Sequence, residues 1–108
     1  MKNCLFCKIV AKEIPSDPIA ETDTLLVIKD INPRAPIHYL IIPKKHLKDI
    51  RDFSGIDKEL AGDIILMAKN LSKDSGEFKL VSNNGKSVGQ SVFHSHFHFL
   101  AGKEMSDF

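Results

Sequence analysis

The 108-residue sequence has no long apolar run, no excess of charge of either sign and only two cysteines. No stretch approaches the ~20 consecutive apolar residues that cross a bilayer, so a membrane-spanning helix is not expected. Fifteen basic residues against fourteen acidic ones leave a formal charge of +1. That balance argues against nucleic acid or an anionic membrane as the main partner. The opening Met1-Lys2-Asn3-Cys4-Leu5-Phe6-Cys7 is soon followed by Lys8, Lys12 and Glu13, unlike a secretory signal. A cytoplasmic location is expected, with the two cysteines held as reduced thiols or metal ligands rather than as a structural disulfide. Internal repeats and low-complexity segments are lacking as well.

Apolar residues make up 43% of the chain, enough to build a core at a length that suits one domain, residues 1–108. A short helix after Cys4, lined by Leu5, Ile9 and Ala11, is expected to end before Pro15. The apolar runs Pro18 to Glu21 and Thr24 to Ile28 flank Thr22-Asp23 and read as a hairpin. Asp30 to Pro36 is a loop, because two prolines forbid regular structure. His38 to Ile42 reads as a buried strand stopped by Pro43. Ser54 and Asp57 resemble a capping box, and Leu60, Ala61, Ile64, Ile65, Ala68 and Leu71 recur at helical spacing until Gly76. Phe78 to Ser82 is a strand, Asn83 to Ser91 a polar loop, and a second strand runs from His94 to Leu100 before the tail Ala101 to Phe108. Strands and helices do not alternate strictly. The class expected is therefore α+β, an antiparallel sheet with helices on one side. An edge strand of such a sheet can pair with a second copy.

Three of the five histidines fall in His94-Ser95-His96-Phe97-His98-Phe99-Leu100. A purification tag would be contiguous and terminal, and this run alternates inside an apolar strand. Strand periodicity puts His94, His96 and His98 on one face and Ser95, Phe97 and Phe99 on the other. At ~3.3 Å per residue, neighbouring histidines stand roughly 6.6 Å apart. They can address one small ligand while doing different jobs. A neutral imidazole can be a nucleophile, a proton carrier or a metal ligand. One metal held by all three fits poorly, since donors must lie ~2.0–2.1 Å from the ion. Three satisfied core histidines are the plain alternative.

Cys4 and Cys7 supply half of many zinc sites, and the same spacing serves redox pairs. A redox pair prefers the start of a helix after a strand, and no strand precedes Cys4. A zinc site needs two further ligands, for which His46 and one histidine of the strand are available. Two buried free thiols remain the other reading. The loop Asn83 to Ser91 can hold phosphate through backbone N–H groups, hydroxyls and amides. It lacks P-loop spacing and no helix follows it. A plain strand connection would look similar.

These residues together resemble the histidine-triad family of nucleotide hydrolases and transferases. The signature His-x-His-x-His-x-x is met by His94 to Leu100, with Ser95 in place of the usual apolar residue. Lys12-Glu13-Ile14-Pro15, Asp30 to His38, Ile42-Pro43-Lys44-Lys45-His46 and Gly89 to Phe93 resemble, in order, the branch of purine nucleoside phosphoramidases. The resemblance covers about Cys4 to Met105. It implies a five-stranded antiparallel sheet with one long and one short helix, in a sheet-paired homodimer. It implies cleavage of nucleoside 5′-phosphoramidates such as an AMP-amine or AMP-lysine, with AMP or GMP as the purine nucleotide portion. Dinucleoside polyphosphate hydrolysis, or a nucleotide-binding regulatory role with incidental catalysis, are the alternatives.

By the same resemblance His96 is the nucleophile at the α-phosphorus, His98 hydrogen-bonds the phosphate and His38 orients the histidines. Asn83, Gln90 and Ser91 bind phosphate or the leaving group, and Asp30 and Ile31 line the ribose and base pocket. Cys4, Cys7, His46 and His94 form a structural zinc site, and no metal is needed for the chemistry. Members of this branch often carry a tryptophan in a C-terminal tail that tunes leaving-group choice. This chain has no tryptophan.

Overall fold

The computed structural model describes residues 3–106. Asp107 and Phe108 of the expected tail lie outside the described residues. Five strands form one sheet: β1 (Ala20–Glu21), β2 (Leu25–Lys29), β3 (Ile37–Pro43), β4 (Phe78–Val81) and β5 (Phe97–Ala101). Their spatial order is β1-β2-β3-β5-β4, and every neighbouring pair is antiparallel. The two helices are α1 (Leu5–Val10) and α2 (Lys58–Ser75). The α+β class, the hairpin and the one long helix of the sequence reading are all present.

The helices lie on opposite faces of the sheet, not on one side as expected. Period-two alternation divides the side chains of β2 and β3. Leu25, Val27 and Ile41 join Leu60, Ile64, Met67 and Ala68 of α2, together with Phe99 and Ala101 of β5. Leu26, Leu40 and Ile42 join Cys4, Phe6 and Ile9 around α1. The unbroken run Leu25-Leu26-Val27-Ile28 carries the signal for this, because a strand apolar on both faces must be covered on both.

The capping box at Ser54 is present and opens a 3-10 turn, Gly55–Asp57, that leads into α2 at Lys58. The Ser54 backbone N–H donates to Asp57 Oδ2 at 2.9 Å, and Lys45 Nζ donates to Asp57 Oδ1 at 2.6 Å. The Lys45 bond, ahead of the Ser54 amide, holds the buried Asp57 carboxyl below its ordinary range. Gly76 ends the helix at φ +76°, a left-handed conformation that favours glycine. The buried stripe is Leu60, Ile64, Met67 and Ala68. Ala61 and Ile65, which fit the period, face solvent instead. In α1 the buried residues are Phe6 and Ile9, while Leu5 is 45% exposed and Ala11 is exposed.

The histidine strand is shorter than expected. β5 starts at Phe97, and His94 and His96 precede it. Pro43 explains the change. Continuing the register past Ile41↔Phe97 would bring Ser95 opposite Pro43, which has no N–H to give a ladder. Ser95 N–H donates instead to the Leu47 carbonyl at 2.7 Å, and the Pro43 carbonyl is taken by the His94 ring at 2.6 Å. At the other end β5 runs on through Ala101, which the sequence reading assigned to the tail. The face assignment holds for the residues in the strand: Phe97 and Phe99 pack toward α2, and His98 faces the other way.

Candidate active site and metal centre

A cavity of about 860 Å³ opens on the α1 face of the sheet. Leu5, Phe6 and Ile9 of α1, with Ile28 and Leu40, form an apolar wall. His38, His96 and His98 lie along its floor, Asp30 and Ile31 at one rim, and Asn83 and Ser91 on a polar side. Ile31 is 91% exposed, a large apolar side chain held out beside the opening. The size falls within the ~300–1,000 Å³ typical of small-molecule sites.

Backbone groups of fixed polarity determine where the imidazole protons sit. His96 Nδ1 lies 2.8 Å from the carbonyl of His94. A carbonyl only accepts, so Nδ1 carries the proton and Nε2 keeps a lone pair. His38 is set the other way. The Arg34 backbone N–H donates to His38 Nδ1 at 3.0 Å, which puts the proton of the neutral ring on Nε2. That Nε2–H donates to His98 Nδ1 at 2.9 Å. The remaining proton of His98 is therefore on Nε2. The floor thus offers one bare ring nitrogen, on His96, and one N–H donor, on His98.

The electrostatics keep His38 and His98 neutral. Burial, followed by the neighbouring His96 and His38, pushes His98 down to about 4. Burial also lowers His38, against the pull of Asp30. Asp30 Oδ2 stands 3.3 Å from His38 Nε2 and 3.9 Å from His98 Nδ1, while Oδ1 accepts the Asn32 N–H at 2.8 Å. Asp30 thus both lines the cavity and braces the histidine pair. Its contact with His38 was not legible in the sequence, where the two residues belong to a loop and a strand.

The polar loop is tightly built. Asn83 Nδ2 donates to the Val88 carbonyl at 2.8 Å. Gly89, at φ +102°, lies so close that a Cβ there would meet Asn83 Nδ2 at 2.8 Å, so this position requires glycine. Gln90 is buried, and its side chain is used within the protein. Its amide donates to the carbonyls of Lys48 and Val92 at 2.7 and 3.0 Å, and its oxygen accepts the Gly85 N–H at 2.8 Å. Gln90 is not among the residues lining the cavity, in contrast to Asn83 and Ser91.

The four expected metal ligands converge next to this cavity. The ligand atoms of Cys4, Cys7, His46 and His94 all lie within 4.8 Å of one another. His94 Nδ1 is 3.2 Å from Cys4 Sγ, 3.5 Å from Cys7 Sγ and 3.1 Å from His46 Nδ1, and Cys7 Sγ is 3.3 Å from His46 Nδ1. Tetrahedral bonds of the usual zinc lengths put ligand atoms roughly 3.3–3.8 Å apart, so the donor set fits a closed four-coordinate ion. The protonation fits too. His94 Nε2–H donates to the Pro43 carbonyl at 2.6 Å, leaving Nδ1 bare inside a fully buried ring. Burial, with the neighbouring Cys4 sulfur second, pushes the Cys7 thiol up to about 11. A cation is what would let both thiols ionise together.

Phe6, which is not among the residues expected to line the first helix, sits between the two centres. Its ring meets His94 edge-on at 5.8 Å and His96 edge-on at 5.1 Å between centroids. On the opposite face Ser95 is buried, and its Oγ has no hydrogen-bond partner among the described residues.

An antiparallel five-stranded sheet with alternate histidines beside a Cys₂His₂ corner defines a recognisable class. The chain belongs to the histidine-triad (HIT) family: the HIT domain model matches residues 11–105. The chain is 44% identical over 108 residues to an uncharacterised HIT-like protein of Synechocystis, covering 97% of this chain and 95% of that one. It superposes on the crystal structure of a HIT family hydrolase from Legionella pneumophila with TM-score 0.92 and 44% identity, covering 96% of each chain. A histidine triad nucleotide-binding protein from Candida albicans gives TM-score 0.83 and 34% identity, covering 94% of this chain and 76% of that one.

Proposed function

We propose that the protein is a nucleotidyl hydrolase that cleaves purine nucleoside 5′-phosphoramidates, such as an AMP-amine, through a nucleotidyl-His96 intermediate. The observation that carries this reading is the pair of opposed tautomers on the cavity floor: a bare Nε2 on His96 beside an N–H on His98. Family membership and the likeness to a HIT family hydrolase and to a histidine triad nucleotide-binding protein support it.

The chemistry follows from those protons. The base and ribose occupy the apolar wall and the rim at Asp30 and Ile31. The lone pair of His96 Nε2 attacks the α-phosphorus in line with the leaving amine. An N–P bond forms as the P–N bond to the amine breaks, and the amine leaves with its electron pair and takes up a proton from the Ser91 hydroxyl, which lines the cavity. His96 Nδ1–H stays bonded to the His94 carbonyl, which stabilises the positive charge developing on the ring. His98 Nε2–H, with Asn83 and Ser91, holds the charge on the phosphoryl oxygens. Water then attacks phosphorus from the vacated side and gives up a proton that restores the Ser91 hydroxyl, and His96 departs with its lone pair restored. Gln90 acts one step removed, by holding the loop that presents Asn83 and Ser91. Cys4, Cys7, His46 and His94 hold a structural zinc ion, which ties the N-terminal helix to the segment carrying His96.

A sheet-paired homodimer is part of this reading, and the edge strand β4, with Phe78 partly exposed, is available for it. Among the described residues no helix is long and apolar enough to cross a membrane. The test is a direct comparison of substrates. An adenosine or guanosine 5′-phosphoramidate should be hydrolysed with a higher kcat/KM than a diadenosine polyphosphate. The reverse order would favour the polyphosphate reaction, and tight AMP binding without turnover of either would favour a regulatory module.

A further inference from the structure

We propose that Phe6 is a positioning residue for His96, and that occupancy of the Cys4, Cys7, His46 and His94 site reaches the nucleophile through Phe6 and through the carbonyl of His94. The inference rests on the assignment of His96 as nucleophile, and it goes beyond a metal ion that merely fastens the N-terminus.

Two short connections carry it. The first runs through the backbone. His94 presents Nδ1 to the two sulfurs and His46, while its own carbonyl accepts the Nδ1–H of His96 at 2.8 Å. The same residue is thus a member of the metal cluster and the acceptor that selects the reactive tautomer of the nucleophile. A backbone shift at His94 that follows loss of its ligand contacts moves that acceptor. The second connection runs through α1. Only Leu5 and Phe6 separate the two cysteines, so the ligand pair fixes both ends of the segment that bears Phe6. Cys4 Sγ also accepts the Cys7 backbone N–H at 3.3 Å and caps the helix. The Phe6 ring is 4% exposed and stands edge-on to His94 and to His96. With Phe6 packed perpendicular to the imidazole and Nδ1 tethered, the His96 ring is held in one orientation, with Nε2 toward the cavity. Releasing the cysteines frees the helix cap and the brace together.

A second cluster of possible donors, Asp30, His38 and His98, does not support an added metal site. The Arg34 N–H occupies His38 Nδ1, so Nε2 must keep the proton that a metal would displace.

The test uses protein labelled with ¹⁵N at histidine, loaded with zinc and free of nucleotide. His96 should show a single Nδ1–H tautomer in the wild type. Phe6→Leu keeps an apolar side chain of similar bulk, and in the zinc-loaded variant His96 should show mixed tautomers. Its kcat should fall on the order of 10-fold or more, as expected for a misplaced reacting group, in addition to any rise in KM that follows from the place of Phe6 in the apolar wall. Wild-type protein stripped with a chelator should show the same mixing, with β5 amide shifts retained. An unchanged His96 tautomer in zinc-loaded Phe6→Leu, or a raised KM with unchanged kcat, overturns the proposal. If chelation unfolds the whole domain, the Phe6→Leu result alone decides. Because the tautomer is read without nucleotide, its failure is separable from a failure of the proposed reaction.

Discussion

The two ends of the histidine segment use the same side chain in opposite ways. At the metal corner His94 gives its Nε2 proton to the Pro43 carbonyl and turns a bare Nδ1 toward two sulfurs. Two residues later His96 gives its Nδ1 proton to the His94 carbonyl and keeps a bare Nε2 beside the cavity. Both rings are almost fully buried and chemically identical. In the proposed reading, what separates a ligand from a nucleophile is which backbone oxygen each ring meets, and that depends on the break in the ladder at Pro43. Neutral imidazole can do either job, and the local backbone chooses.

The sharpest way to break that division is to remove one end at a time. His96→Ala should lower turnover by roughly 10⁴-fold or more while leaving metal content and thermal stability close to wild type. Turnover near wild type would remove His96 from the reaction. Cys4→Ser acts on the other end. If the free zinc concentration is ~100-fold above its Kd, site occupancy contributes about 2.7 kcal/mol. Its loss should lower Tm by on the order of 10 °C, and elemental analysis should find the metal gone. A variant that keeps one zinc per chain at unchanged Tm would contradict the assignment of Cys4.

The pH dependence probes the cavity end. The folded protein holds His98 at about 4, against an ordinary 6.5, so between those values the unfolded chain binds the extra proton. Stability from this source is complete above about 6.5 and is lost as pH falls toward about 4. The depressed His38 adds in the same direction. A series of Tm values over this range should fall less steeply in His98→Asn than in the wild type, and equal slopes would contradict the assignment. Asp49, held at about 2 chiefly by its bond from Arg51, loses its contribution only below that window. The smallest effect lies on the reverse face. Ser95→Ala removes a buried hydroxyl that lacks a partner. The cost of such a group is ~1–3 kcal/mol, so Tm should rise by a few degrees, whereas a fall would mean that the hydroxyl has a partner such as a trapped water.

Much of this was legible in the chain itself because the signals were periodic or covalent. The capping box at Ser54, the hairpin around Thr22-Asp23 and the alternation of Phe97, His98 and Phe99 depend on neighbours in sequence, and they appear where expected. The four residues of the candidate metal cluster could be named through the family pattern, although Cys4 and His94 lie 90 residues apart. What was not legible depends on contacts between distant backbone groups. Nothing in Pro43 announces that its missing N–H shortens β5, or that its carbonyl orients His94. Gln90 looks like a phosphate donor in a polar loop, and only the fold shows that both its amide hydrogens go to carbonyls. Phe6 was not among the residues expected to line the first helix, and only the topology, which brings α1 over the histidines, gives it a place.

The central claim is that His96 becomes covalently nucleotidylated. Excess protein mixed with an adenosine 5′-phosphoramidate and quenched in alkali within one turnover should gain the mass of one adenylyl group. Peptide mapping should place that group on His96. Turnover without any adduct, or an adduct on His38 or His98 instead, would contradict the mechanism at its first step.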